Sequence, residues 1–262
     1  MTKLSLKYLR HLVTARHRGG HGIHSPYVYD LVKNAVFGHT DTPVPPGVLN
    51  YHRRQQACKQ VLEVGQHGAG SRVTTGQQRK VFAIARHSSV TRRQGALLYR
   101  LARWYRPAAV LELGTGLGIS TAYLAAGAGE VPVTSIEGSV QKHQYALQHC
   151  PAAKLPGVEL RLADFDAVFP DLLNRLPDRP MIFIDGDHRY GPVIEKVNML
   201  LEMKQFTEFM LILDDIHWSA GMEQAWKEGA GHPGADVVLD LFYSGIMIRR
   251  PAIARHYYKV LF

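Results

Sequence analysis

From about residue 109 onward, short apolar runs alternate with longer stretches whose apolar residues recur at helical spacing. The runs are 110–113, 131–136, 158–162, 181–184 and 209–213, and the helical stretches are 119–127, 139–149, 165–176, 191–204 and 219–229. Apolar runs of four to six residues separated by amphipathic helices are the pattern of βαβ units, so the fold class read here is α/β with a mostly parallel sheet. The tail, 236–249 followed by the aromatic run 256–262, turns through Ser244-Gly245 and is expected to form an antiparallel edge.

The chain before this point reads differently. Residues 3–16 place Leu6, Leu9 and Val13 at helical spacing with Leu4, Tyr8 and Leu12 alongside, which predicts a basic amphipathic helix. After Gly19-Gly20, Ser25 can cap and Pro26 can open a second helix over 26–37. His21 and His24 have no acid or sulfur partner nearby and read as loop residues rather than ligands. Residues 41–47 are a Pro-rich loop, and the basic, glutamine-rich stretch through about Val64 reads as a helix. The glycines between Glu63 and Ser71 imitate a nucleotide turn, but the polar residues after them cannot pack as a crossover helix, so this segment reads as a loop. Helices are expected over 79–87 and 91–106, the latter with Leu97, Leu98, Leu101 and Trp104 on its apolar stripe and an end before Pro107. The resulting division is a helical extension over 1–90 and an α/β domain over 91–262.

Charge sharpens this division. Residues 1–107 carry 18 Lys and Arg against 3 Asp and Glu, whereas residues 108–262 carry 13 against 19. The basic part is a solvated face, a surface for nucleic acid or an acidic membrane, or a segment packed on an acidic body. No apolar stretch approaches the roughly 18 residues of a membrane span. Cys58 and Cys150 stand far apart, so neither a disulfide framework nor a zinc cluster of cysteines is supported, and a cytoplasmic setting is expected.

In an open α/β sheet, ligands bind beyond the carboxyl ends of the strands. The first run ends with Glu112 and leads into Gly114, Gly116 and Gly118, where backbone can approach a ligand closely. Glu137 follows the second run, about where a carboxylate would accept both ribose hydroxyls. Asp164 and Phe165 follow the third and could bond an adenine amino group and cover its ring. Asp185-Gly-Asp-His-Arg-Tyr190 follows the fourth, and Asp214-Asp-Ile-His-Trp218 the fifth. The third glycine falls one place too early for the dinucleotide fingerprint, which makes NAD an unsuitable cofactor.

Taken together, Leu111-Glu-Leu-Gly-Thr-Gly-Leu-Gly118, Ser135-Ile-Glu-Gly138, Leu162-Ala-Asp164 and Ile182-Phe-Ile-Asp-Gly-Asp-His188 resemble the class I S-adenosylmethionine-dependent methyltransferases. Asp185-Gly-Asp-His188 and Asp214-Asp215 are most similar to the small-molecule O-methyltransferases related to catechol O-methyltransferase. The resemblance implies a Rossmann-like sheet with a reversed last strand and an acceptor pocket roofed by the N-terminal helices. It implies S-adenosyl-L-methionine over the glycine turn, with Glu112, Glu137, Asp164, Phe165 and Asp185 around it.

In such relatives an acid after the fourth strand and a pair after the fifth can hold a divalent ion; Asp185, Asp214 and Asp215 match, with oxygen donors suited to Mg2+. The alternative is that Asp185 touches the cofactor while the pair caps a turn or meets a substrate amine. A histidine could take the acceptor's proton, His217 being the preferred base and His188 the second candidate. Trp218 and Tyr190 could wall the pocket. The expected partner is a small-molecule acceptor, with a homodimer left open. Two other readings are an RNA methyltransferase that grips phosphates through its basic part, and a fold that binds the cofactor without chemistry. Against the first, no amino-methylating Pro-Pro motif follows the fourth run, and no cysteine stands near a proline motif for carbon methylation.

Overall fold

A computed structural model of the protein describes residues 3–15, 17–38, 43–63 and 78–262. The chain forms two compact units, residues 1–39 with 169–262 and residues 40–168. The boundary expected at 90/91 lies inside the second unit.

The first unit opens with helix α1 (Lys3–Thr14), then α2 (Pro26–Asp30), which runs on as a π-helical turn, Leu31–Val36. Ser25 and Pro26 start α2 as expected, the serine hydroxyl accepting from the Val28 N–H. The second unit follows with α3 (Pro46–Ala57), β1 (Val61–Glu63), β2 (Gln78–Lys80), α4 (Val81–His87), α5 (Arg92–Tyr105), β3 (Ala109–Leu113), α6 (Ile119–Ala128), β4 (Val133–Glu137), α7 (Val140–His149) and β5 (Val158–Leu162). Helix α8 (Phe165–Arg175) carries the chain from the second unit into the first. The first unit then resumes with β6 (Pro180–Ile184), α9 (Tyr190–Glu202), β7 (Phe209–Asp214), α10 (Ala220–Gly231), β8 (Val237–Asp240), β9 (Ser244–Arg249) and β10 (His256–Lys259).

The fold is α/β and Rossmann-like. In the second unit β3, β4 and β5 pair in parallel, with Val110 opposite Val133 and Val133 opposite Val158. In the first unit the order is β10-β8-β9-β7-β6, with β6 and β7 parallel and β9 antiparallel to both β7 and β8. Strands β3, β6 and β7 are buried at every position, which is why they read as unbroken apolar runs, whereas β5 is mostly exposed. Helix α5 starts on a capping box between Thr91 and Gln94 and ends with Arg106 in left-handed conformation before Pro107.

Four expectations need correction. The reversed strand is β9 rather than the last one, because β10 pairs in parallel with β8. The helix expected through Val64 stops at Ala57, and Val61–Glu63 instead pairs antiparallel with Gln78–Lys80, which also shortens the helix expected over 79–87. The fourth concerns the face α1 buries: Leu6, Leu9 and Val13 are 57%, 47% and 84% exposed, while His11 is buried and Lys7 and Tyr8 are half-buried. The look-alike glycine segment lies almost wholly outside the described residues. Among the described residues no helix is long and apolar enough to cross a membrane.

Candidate functional site

In the second unit, β3 delivers the chain into a turn where Gly114, Gly116 and Gly118 all have positive φ, at 110°, 55° and 76°. A Cβ on Gly118 would lie 2.8 Å from both Cβ and Sγ of Cys150, so the third glycine is required by packing as well as by φ. The Cys150 thiol donates to the Gly118 carbonyl at 3.2 Å, and the Tyr51 hydroxyl donates to the Leu117 carbonyl at 2.6 Å. These two groups hold the far side of the turn. A Cβ on Gly116, by contrast, would meet nothing within 4 Å, which leaves that side open to close approach.

Glu137, at the end of β4, is tied to the turn: its Oε2 accepts from the Gly116 N–H at 2.8 Å and its Oε1 from the Ser139 N–H at 2.9 Å. A carboxylate has about four acceptor positions, so two remain for another donor. Glu112 is fully buried and accepts from the Thr121 and Ser135 hydroxyls, each at 2.5 Å. Burial pushes its carboxyl pKa up, against hydrogen bonds from Ser120, Ser135 and Thr121. It thus lies beneath the turn, joining β3, β4 and α6. Asp164 is exposed, and its Oδ1 accepts from the Ala167 N–H at 3.1 Å at the start of α8, while Phe165 is half-buried.

In the first unit the acids and histidines after β6 and β7 fall into two groups. His188 Nε2 lies 3.8 Å from both Asp185 Oδ1 and Asp215 Oδ2. This ring nitrogen is buried and makes no hydrogen bond. Burial lowers the His188 pKa, opposed by the charges of Asp214 and Asp187. Burial together with the adjacent Asp215 pushes Asp214 up to about 7, and burial pushes Asp215 to about 6. Asp214 also accepts from the Ser244 hydroxyl at 2.9 Å. Asp215 has φ 54°, a left-handed conformation that aspartate tolerates better than most residues.

The second group surrounds His217. Its Nε2 is 3.1 Å from Asp240 Oδ2, its Nδ1 is 3.6 Å from Glu223 Oε1, and Lys7 Nζ reaches the other Glu223 oxygen at 2.5 Å. The two histidines singled out by sequence therefore sit in different surroundings, His188 between carboxylates without a hydrogen bond at Nε2 and His217 hydrogen-bonded to Asp240 through Nε2. A small pocket is lined by Leu4, Asp215, His217, Trp218, Phe242 and Tyr243. Trp218 belongs to this wall; Tyr190 does not, its hydroxyl donating instead to Glu228 at 2.7 Å.

Among the described residues, the only three metal-capable side chains with donor atoms all within 4.8 Å of one another are His11, His217 and Asp240. Asp185, Asp214 and Asp215 are not gathered to that degree, and His188 stands between the first and the third. Sequence reading missed Tyr51, Cys150, His11, Glu223 and Asp240. One signal was available: Asp240 ends an apolar run, Val237–Leu239, just as Asp214 ends β7.

Residues 111–216 match the family model described as Methyltransferase domain. A protein of Mycobacterium sp. (strain JLS) whose name places it among O-methyltransferases is 37% identical over 117 residues, covering 43% of this chain and 52% of that protein. The chain therefore spans about half the length of the curated relatives it matches. Among solved structures, an O-methyltransferase from Bacillus cereus in complex with SAH aligns with TM-score 0.51 at 22% identity, covering 62% of this chain and 82% of that one. A SAH-bound methyltransferase from Podospora anserina aligns with TM-score 0.57 at 16% identity, covering 86% and 96%. These two likenesses establish the fold.

Proposed function

We propose that this chain, whose residues 111–216 form a methyltransferase domain, transfers a methyl group from S-adenosyl-L-methionine to an oxygen of a small molecule. The observation that carries the reading is the Gly116 to Glu137 contact. It places a carboxylate with two unused acceptor positions beside a turn whose open side admits a ligand. That pairing suits a ribose diol. Glu112 keeps the turn in shape from beneath, and Asp164 and Phe165 would meet the adenine. Residues 91–262 would form the catalytic body and residues 1–90 its extension.

The cofactor supplies an electrophilic methyl group on a sulfonium. What the protein must add is placement of the acceptor and removal of one proton. His188 is the base in this reading: burial lowers its pKa, and its Nε2, which makes no hydrogen bond, would take the acceptor's hydroxyl proton once a shift of the surrounding loops uncovers it. The carboxylates of Asp185 and Asp215, each 3.8 Å away, would then stabilise the imidazolium. His217, whose Nε2 is hydrogen-bonded to Asp240, serves this step less well. Trp218, Phe242 and Tyr243, with Asp215 among them, have the chemistry for a hydroxylated aromatic acceptor, but the pocket they line would have to open to enclose one. Asp185, Asp214 and Asp215 have the donor chemistry for Mg2+ but are not gathered closely enough to hold it as they stand.

Calorimetry with S-adenosylmethionine tests this reading. Binding should be measurable for the wild type and weakened at least tenfold by Glu137→Ala with the circular-dichroism spectrum unchanged. Folded wild-type protein that binds no cofactor overturns the proposal. A panel of catechols and other phenols, assayed for methyl incorporation, tests the acceptor class.

A further inference from the structure

Helix α1, the loop after β7 and the end of β8 bring three donor side chains together inside the first unit. His11 Nδ1 is 3.7 Å from Asp240 Oδ1, and His217 Nε2 is 3.2 Å and 3.1 Å from the two Asp240 oxygens. The side chains are 4%, 13% and 1% exposed in the order His11, His217 and Asp240. We propose that His11 Nδ1, His217 Nε2 and the Asp240 carboxylate bind one divalent ion of the zinc class.

The bonds around the cluster favour this over a simple polar contact. His11 Nε2 lies 3.3 Å from the Val260 carbonyl oxygen, and a carbonyl only accepts, so Nε2 carries the hydrogen. In neutral His11 the other nitrogen, Nδ1, is then a lone pair set against a carboxylate in a buried site. The lone pair and the carboxylate repel each other there. A cation between the two atoms resolves it.

The surroundings match what ligating groups require. A metal-bound histidine usually donates its other N–H to a carbonyl or carboxylate, which fixes the ring. His11 has the Val260 carbonyl, and His217 Nδ1 faces Glu223, itself pinned by Lys7. Asp240 is positioned by the Phe242 N–H at 2.9 Å and the Tyr257 hydroxyl at 3.2 Å. Four ligands at about 2.0–2.2 Å around a tetrahedral zinc lie roughly 3.3–3.6 Å from one another; here the two histidine nitrogens stand 3.7 Å and 3.1 Å from Asp240 oxygens, and all three donors lie within 4.8 Å of one another. Two imidazoles and a carboxylate form a set suited to zinc or cobalt rather than to magnesium or calcium. The site shares no residue with the Glu137 turn or with the His188 group; His217 also lines the small pocket, and metal binding is read without any methyl transfer.

The test uses the full-length protein, dialysed against chelator and titrated with Co2+. One equivalent should bind with the intense visible absorption of tetrahedral cobalt, and Zn2+ should displace it. His11→Gln and Asp240→Asn should each weaken binding by at least about 100-fold, while Asp185→Asn should not. Absence of the absorption, unchanged affinity in His11→Gln, or loss of binding in Asp185→Asn overturns the proposal. Where a variant does not fold, the wild type decides: bound Co2+ should shift the ring resonances of His11 and His217, and unshifted rings overturn it.

Discussion

The hydroxyl of Tyr51, on α3, donates to the carbonyl of Leu117 at 2.6 Å, so one buried side chain from before the sheet fixes the middle of the glycine turn. Tyr51→Phe would leave that carbonyl without its partner. We expect a loss of about 1–3 kcal/mol in urea unfolding. Cofactor affinity should fall several-fold, read by calorimetry.

The glycines of the turn should separate into two kinds. Gly118→Ala meets Cys150 at 2.8 Å and should destabilise the protein by about 1–3 kcal/mol. Cys150→Ala should not rescue it, because the Cys150 Cβ is itself one of the atoms met. Gly116→Ala meets no protein atom within 4 Å, and its φ of 55° costs about 1 kcal/mol. It should reduce cofactor affinity by more than its small effect on unfolding. Equal ratios of the two effects in both variants would remove the distinction.

His52 predicts a specific acid sensitivity. Its Nε2 accepts from Gln56 at 3.1 Å and its Nδ1 faces the Tyr123 hydroxyl at 3.0 Å, an arrangement for a neutral ring. Burial, with help from the charge of Arg92, lowers its pKa from 6.5 to about 4. The unfolded state therefore binds the proton first. The stability this histidine contributes is complete above pH 6.5 and is lost as pH falls from 6.5 towards 4. Unfolding free energy measured across that interval should fall less steeply in His52→Gln than in the wild type. Parallel curves would refute the assignment.

Rate against pH should identify the base. With His188 held neutral by burial, kcat/KM should be level at neutral pH and should fall only below the ordinary histidine value of 6.5. His188→Gln should lower kcat by about 10²–10⁴ with cofactor affinity preserved, and should change the acid limb, to which Asp214 and Asp215, pushed to about 7 and about 6, also contribute. A larger loss in His217→Gln, with an unchanged acid limb in His188→Gln, would transfer the role to His217.

Much of this architecture was legible because burial on both sides leaves a simple mark. Strands β3, β6 and β7 are covered throughout and appear as apolar runs, and the carboxylates at their ends follow directly. Strands β1 and β2 are three residues each and largely exposed, so no pattern marks them. Helix α1 misled for a different reason. It has apolar residues on more than one face, and the face taken inward is chosen by His11 and Lys7, whose partners Asp240, Val260 and Glu223 lie in the last forty residues. Spacing along α1 carries no information about such partners. His188 and His217 were both visible, but only the carboxylates around each ring distinguish them.

Helix α1 has its apolar stripe of Leu6, Leu9 and Val13 in water, and meets the acidic groups of its own unit through Lys7 and His11. The polar part of its attachment should therefore weaken as ionic strength rises, while Tyr8, packed edge-on against Phe242, holds the apolar part. Sulfate and phosphate strengthen apolar burial, whereas added electrolyte screens partly exposed ion pairs such as Lys7 with Glu223. Salt would thus weaken the Lys7 contact of the first helix and leave its Tyr8 contact in place.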